Sequence, residues 1–168
     1  MKHVLGRICQ PEVVLGAALA TAALLRKRPA EATRFLVAVP ATLLASKVLK
    51  TCVDEHRPRL FDRHPEQSFP SGHSAATTAY LLSIGATLGV PWLFPVAAAA
   101  VAVVNVSRVR DREHWPKDVM SGDVLGVLGA IAGAIASRLV RQTSRHSAAG
   151  VAGSRSSGPS AVSVGTRS

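Results

Sequence analysis

Apolar residues in this chain come in long blocks, not in the short amphipathic spacings of a soluble domain, and five such blocks can be traced. The first, Val13 to Leu25, follows Pro11-Glu12 and is closed by Arg26-Lys27-Arg28-Pro29. Proline suits the opening position of a helix, and a carboxylate suits its positive end. This block is short for a full crossing, which takes roughly 20 residues, but the similar blocks that follow favour a membrane helix over an interfacial one. The second begins near Pro29-Ala30-Glu31 and continues through Phe35 to Leu49, and Pro40 inside it predicts a kink. Lys47 and Lys50 fall in its last turn, where cations suit the negative helix end. The third opens at Pro70-Ser71-Gly72-His73 and runs from Ser74 to about Leu88. Gly85 and Gly89 have the spacing that lets two helices approach closely. After the break at Gly89-Val90-Pro91, a fourth block runs from Trp92 to Val106. The fifth runs from about Asp118 to Val140, and Gly122, Gly126, Gly129 and Gly133 predict one closely packed face.

These blocks predict an all-α, integral-membrane helical bundle of about five transmembrane helices. The membrane domain covers residues 1–141. The remaining 142–168 is rich in Ser, Gly, Ala and Arg, cannot bury a core, and is expected to be a disordered tail. The start, MKHVLGRICQPE, has positive charge but lacks an adequate apolar core before Pro11 and a small-residue cleavage site, so it is not read as a cleaved signal peptide. Composition agrees with a membrane protein: 48% of the 168 residues are hydrophobic and 4% aromatic. The formal net charge of +10 points to an anionic partner. Nucleic acid is not expected, because the basic residues sit in short turns with no stacking aromatics among them. Cys9 and Cys52 give neither a disulfide framework nor a zinc spacing.

With five helices, the second-to-third and fourth-to-fifth connections lie on one face. The opposite face carries Arg26, Lys27, Arg28, Arg34 and the arginines of the tail, which by the positive-inside rule makes it cytoplasmic. The two polar connections would then face outward from a multi-pass protein of the plasma membrane. They hold three chemically loaded stretches. Lys50 is followed by Arg57-Pro58. Pro70-Ser71-Gly72-His73 opens the third helix. In the third, SRVRDREHWPKD, Arg108, Arg110, Arg112, His114 and Lys117 alternate with Asp111, Glu113 and Asp118. Ionisable groups at the edge of hydrocarbon are costly and read as functional by default.

His114 and Asp118, four apart, share a helical face, so a carboxylate accepting one imidazole N–H would leave the other ring nitrogen free as base or nucleophile. Lys50, Arg57 and Arg108 supply the cations that a phosphoryl group in transfer requires. Ser71 and Gly72 stand at a helix start, where N–H groups and the dipole favour an anion, and Gly72 lets backbone come close to a ligand. His73 and His114 allow one nucleophile and one general acid.

Taken together, the three stretches resemble the signature motifs of the type 2 phosphatidic acid phosphatase superfamily, which includes membrane lipid phosphate phosphatases and the vanadium haloperoxidases. The resemblance covers residues 50–118, with each signature position filled. It implies a helical bundle and metal-independent hydrolysis through a phosphohistidine, with no cofactor. By position, His114 would be the nucleophile, Asp118 would orient it, and His73 would protonate the leaving oxygen. Lys50, Arg57, Ser71, Gly72 and Arg108 would hold the phosphate. The chain departs from the common six-span form by one helix before the first motif, which leaves a homo-oligomer open.

The expected substrate is a lipid phosphate: a polyprenyl diphosphate, a polyprenyl-linked phosphosugar, or a phospholipid such as phosphatidate or phosphatidylglycerophosphate. A haloperoxidase would be soluble and much longer. A catalytically silent membrane scaffold or lipid-binding protein is the alternative of another class, and the complete signature set disfavours it. Cys52 lies before Arg57 in a stretch without glycine, so a thiolate phosphatase cradle is missing. His56 and His64, with Asp54 and Asp62, fit no strong metal spacing and are read as loop or substrate-rim residues.

Overall fold

The structure, a computed structural model, describes residues 10–58 and 67–156, with side chains described through residue 147. Regular structure among the described residues is entirely helical. Helix α1 spans Pro11–Leu24, with proline at its first turn. A short turn over 25–28 leads to α2, Pro29–Cys52, which is continuous through Pro40. It runs past the expected end at Leu49 because nothing there breaks it, and Thr51 Oγ1 donates back to the Val48 carbonyl at 2.7 Å.

Helix α3 spans Gly72–Leu88 and is capped by Ser71, whose hydroxyl accepts the Ser74 N–H. It stops at Gly89, which adopts a left-handed conformation at φ 68°. The Gly85/Gly89 pair is therefore not the close-packing motif its spacing suggested. A Cβ on Gly89 would meet nothing within 4 Å, and one on Gly85 would make ordinary contact with the Phe94 ring at 3.4 Å. Gly89 is a helix terminator, the place where a residue lacking Cβ costs least.

Helix α4, Leu93–Arg110, extends beyond the expected Val106, so Ser107 and Arg108 belong to its last turn. Helix α5, Pro116–Ser156, is far longer than the expected 118–140. Alanine and arginine are good helix formers and no proline intervenes before Pro159, so the backbone continues helical without a core to bury. The expected tail thus begins, over 142–156, as helix; residues 157–168, and those through residue 9, lie outside the described residues.

Packing is that of a membrane bundle. The buried positions are small: Ala18, Ala22, Ala38, Ala75, Ala76 and Ala79, with Phe35 and Val39 the larger members. Phe35 meets Tyr80 edge-on at 5.9 Å between ring centroids. On α5 the large apolar residues Met120, Val124, Leu128, Ile131, Ile135 and Leu139 are exposed, while the glycines face inward. That inversion suits a lipid surround, where apolar side chains lose nothing by facing out and close backbone approach drives packing. Among the described residues, three segments are long and apolar enough to cross a membrane: Pro29–Cys52, Leu93–Arg110 and Pro116–Ser147 of α5. Pro11–Leu24 is a shorter apolar helix. Exposed Trp92 and Trp115 stand at opposite ends of the bundle, one just before α4 and one just before α5, as interfacial aromatics do.

The glycine face of α5 sets how close the helices come. A Cβ on Gly122 would lie 2.5 Å from the Ser71 carbonyl, and one on Gly126 2.6 Å from the Ala75 carbonyl. Farther along, Gly129 faces Ala38 and Thr42, and Gly133 faces Arg34 and Ala38. The falling numbers on α2 against rising numbers on α5 make these two helices antiparallel neighbours. The expected face of close approach is therefore present, shared between α3 near the start of α5 and α2 farther on.

Candidate active site

The α2–α3 and α4–α5 connections meet at one end of the bundle and are stitched together. The Ser71 N–H donates to the Asp118 carbonyl at 3.0 Å, and the Ser68 N–H to the Glu55 carbonyl at 2.8 Å. Trp115 Nε1 donates to the His56 carbonyl at 3.1 Å, and Lys117 pairs with Glu55 at 2.7 Å. These bonds hold in place the described part of a loop that lacks secondary structure. Residues 59–66, including Arg59, Asp62, Arg63, His64 and Glu66, lie outside the described residues. The peptide joining Phe69 to Pro70, just before the α3 cap, is cis.

Within this end, the imidazoles of His73 and His114 face each other with ring centroids 6.5 Å apart. His73 stands in the first turn of α3, and His114 in the tight turn before α5. That turn is shaped by Arg112 at a positive φ of 54° and by the Glu113 N–H donating to the Arg108 carbonyl at 3.1 Å. His114 is 3% exposed and Asp118 is fully buried. His114 Nδ1 lies 3.6 Å from Asp118 Oδ2, longer than a hydrogen bond. That carboxylate oxygen instead accepts the Trp115 N–H at 2.9 Å. Asp118 therefore closes the start of α5 by reaching back to the residue before it, as the third residue of a capping box does. His114 Nδ1 and Asp118 Oδ1 are both buried without a partner.

Arg57 and Lys50 are close enough to act on both imidazoles, and Arg108 acts on His73. Arg108, 5% exposed, sits in the last turn of α4, and its Nη1 binds Glu113 Oε2 at 2.6 Å. Lys50 Nζ donates to the Gln67 carbonyl at 2.6 Å, which ties the end of α2 to the residues before α3. Arg57 is half-buried in the connecting loop. Burial, then the charges of Arg57, Lys50 and His73, push His114 down to about 3, with the Ser68 backbone acting the other way. Protonation of His114 is thus disfavoured, and the neutral imidazole is the favoured form.

At the helix start, Ser71 is fully buried and its hydroxyl is the α3 cap, taking the Ser74 N–H at 3.4 Å and the Ser74 hydroxyl at 3.1 Å. Its own N–H is used by Asp118, so the first-turn groups of Gly72 and His73 are those that a helix start leaves for an anion. A Cβ on Gly72 would make only ordinary contacts, 3.6 Å to Pro11 and 3.8 Å to Ser46. Cys52 is an exposed thiol at the end of α2. Among the described residues, no group of three or more His, Cys, Asp or Glu is placed to hold a metal ion.

The family model of the PAP2 superfamily matches residues 31–144, well over half of the chain and all three motif-bearing stretches. The chain belongs to the PAP2 superfamily. It is a membrane protein of the phosphatase type. Its fold is similar to that in the crystal structure described as the first transmembrane PAP2 type phosphatidylglycerolphosphate phosphatase from Bacillus subtilis. The TM-score is 0.63 at 22% identity, over 84% of this chain and 77% of that one. No curated protein sequence matches the chain.

The PAP2 fold of this chain also contains polar residues that the motif reading passed over. Asp123, inside α5, accepts Thr78 Oγ1 of α3 at 3.0 Å and Asn105 Nδ2 of α4 at 2.6 Å. It joins three helices just beneath the histidines. A carboxylate and an amide embedded in apolar blocks carried a signal of their own, because intramembrane polar residues are rare without a role. Glu113, the acid holding Arg108, carried none, because it sits in a run where both signs of charge alternate.

Proposed function

We propose that the chain is an integral-membrane lipid phosphatase that hydrolyses a phosphomonoester or pyrophosphate on a lipid carrier through a phosphohistidine. The observation that carries this reading is the 6.5 Å juxtaposition of His73 and His114, with Lys50, Arg57 and Arg108 near enough to act on His73. In that reading His114 Nε2, the ring nitrogen directed away from Asp118, attacks phosphorus while the bond from phosphorus to the leaving oxygen breaks. Burial and the charge of Arg108 favour the neutral form of His73, so it takes up a proton as the substrate dianion binds and gives it to that oxygen. Water then attacks the phosphohistidine, His73 takes its proton, the phosphorus–nitrogen bond breaks and orthophosphate leaves. Asp118 stabilises the imidazolium character that develops on His114. Lys50, Arg57, Arg108, the Ser71 cap and the Gly72 backbone hold the phosphoryl oxygens. No resident metal has a part in these steps.

The apolar exterior next to a cationic mouth suits an amphiphile with a lipid tail and an anionic head. Polyprenyl diphosphates and polyprenyl-linked phosphosugars are the leading class. Phosphatidylglycerophosphate is the second reading, favoured by the description of the structural neighbour. The basic residues Arg26, Lys27, Arg28 and Arg34 at the other end of the bundle support an extracytoplasmic site in the plasma membrane. The deciding experiment is phosphate release in detergent from a panel of these lipids, by wild type and His114→Ala. Turnover on one class, abolished in a folded His114→Ala protein, is expected. Undiminished release by that variant overturns the nucleophile, and no turnover on any lipid favours a silent scaffold.

A further inference from the structure

The end of the bundle farthest from the histidines holds a buried cation that the phosphatase reading does not use. Arg34 is 9% exposed, and its Nε is buried with no hydrogen-bond partner. Glu31, the acid that acts on it electrostatically, is paired with Arg141 at 3.1 Å instead. Arg138 and Arg141 add their charges to the same place, so three guanidinium groups share one carboxylate. On the facing helix the Ser137 hydroxyl is fully buried and also without a partner.

The helix geometry brings these groups together. Gly133 abuts the Arg34 carbonyl, and Ser137 lies one turn farther along α5 on the same face. Side chains lean toward the N-terminus of their helix, and α2 is antiparallel to α5. The Arg34 side chain therefore leans toward Ser137 and Arg138. A buried guanidinium N–H without an acceptor, in a cluster with more cations than carboxylates, is unfavourable, and the planar fork of arginine matches a tetrahedral oxyanion.

We propose that Arg34, Ser137, Arg138 and Arg141 form a second, non-catalytic site for a phosphate oxyanion at the membrane surface opposite the histidines. The headgroup phosphodiester of an anionic phospholipid is the natural source there, and free phosphate is the other source of the same chemistry.

The test uses the full chain in phosphatidylcholine nanodiscs with a small fraction of photoactivatable phosphatidylglycerol, and adducts mapped by peptide mass spectrometry. Adducts are expected in the peptides around 26–34 and 137–145. They are expected to fall about tenfold in Arg34→Gln, the loss of a charge-assisted hydrogen bond, with turnover unchanged. Arg138→Gln removes an exposed charge and leaves packing alone, so it gives the same reading if Arg34→Gln does not fold. Suppression of the adducts by millimolar inorganic phosphate assigns the site to the free anion; persistence assigns it to the lipid headgroup. Equal adducts in wild type and both variants, or adducts spread evenly over the surface, overturn the site.

Discussion

Gly122 is the position where packing and chemistry are most tightly joined, and Gly122→Ala tests that link. A Cβ there would sit 2.5 Å from the Ser71 carbonyl oxygen, 3.0 Å from Ser74 Cβ and 3.3 Å from the Ala75 nitrogen. The nearest obstacle is backbone, which cannot swing aside as a side chain would. Restoring an ordinary contact of 3.4 Å moves the start of α3 away from α5 by about 0.9 Å. The same displacement stretches the 3.0 Å bond from Ser71 to Asp118 beyond hydrogen-bond length. It also carries His73, two residues on, away from His114. A misplacement of about 1 Å costs on the order of 100-fold in rate, and overpacking costs roughly 1–3 kcal/mol in stability.

The control is Gly133→Ala, whose Cβ would meet the Arg34 carbonyl at 2.6 Å and Ala38 Cβ at 2.9 Å. It carries a similar clash at the far end of the bundle. Initial rates of phosphate release, read beside thermal unfolding in the same detergent, separate the two effects. Both variants are expected to lose stability, and Gly122→Ala alone to lose kcat by about two orders of magnitude. Equal kcat in the two variants refutes the claim that the α3–α5 approach positions the histidines.

Glu113→Gln removes the charge that holds Arg108 at 2.6 Å and competes with a bound phosphate; competitive inhibition by orthophosphate is expected to tighten about tenfold, and weaker inhibition would make Glu113 a positioning residue. His114, depressed to about 3, is expected to keep the NMR signature of a neutral imidazole down to below pH 5. Because its folded value lies below the ordinary 6.5, the unfolded chain gains the proton first, so its contribution to stability falls as pH drops below 6.5. An imidazole titrating near 6.5 in the phosphate-free protein contradicts its burial among cations. Asp123→Ala leaves Thr78 and Asn105 without their acceptor at a cost of roughly 1–3 kcal/mol for each buried group; an unchanged unfolding midpoint would show that the three-helix junction contributes nothing.

How much of this was legible in the chain depends on what kind of signal each residue carries. The glycines at 122, 126, 129 and 133 recur at helical spacing, and small residues so placed in an apolar helix have one physical use. Gly85 and Gly89 have the same spacing, yet Gly89 turns left-handed and ends α3. Spacing alone does not distinguish a packing glycine from a terminator when a break follows immediately. The histidines and cations were legible as three stretches because apolar blocks isolate them. Their pairings were not: a run such as Arg-Asp-Arg-Glu-His admits many ion pairs, and only the turn with Arg112 in a left-handed conformation aims Glu113 at Arg108. The i,i+4 spacing of His114 and Asp118 did bring them to one face, but it could not reveal that the Trp115 N–H claims the same carboxylate. Helix ends were misjudged where an apolar block stops but helix propensity does not, at Val106 and Val140.

These particulars bear on how a lipid-facing protein gains positional precision. A soluble enzyme anchors its site on a core of large side chains, whose burial supplies both energy and fit. Here the large side chains of α5 face outward, where burial in lipid would not discriminate one helix arrangement from another. Position must come from contacts that tolerate no slack: backbone against backbone at Gly122 and Gly126, and polar groups spanning helices at Asp123. Both devices lie within about two and a half turns of Asp118, on the helix whose start also carries the cap beside His114. An error of a few tenths of an ångström in that packing is therefore transmitted directly to the space between the two imidazoles. On the proposed reading, residues with no reactive atom, Gly122 and Gly126 foremost, would set the geometry of the site as much as the cations set its charge.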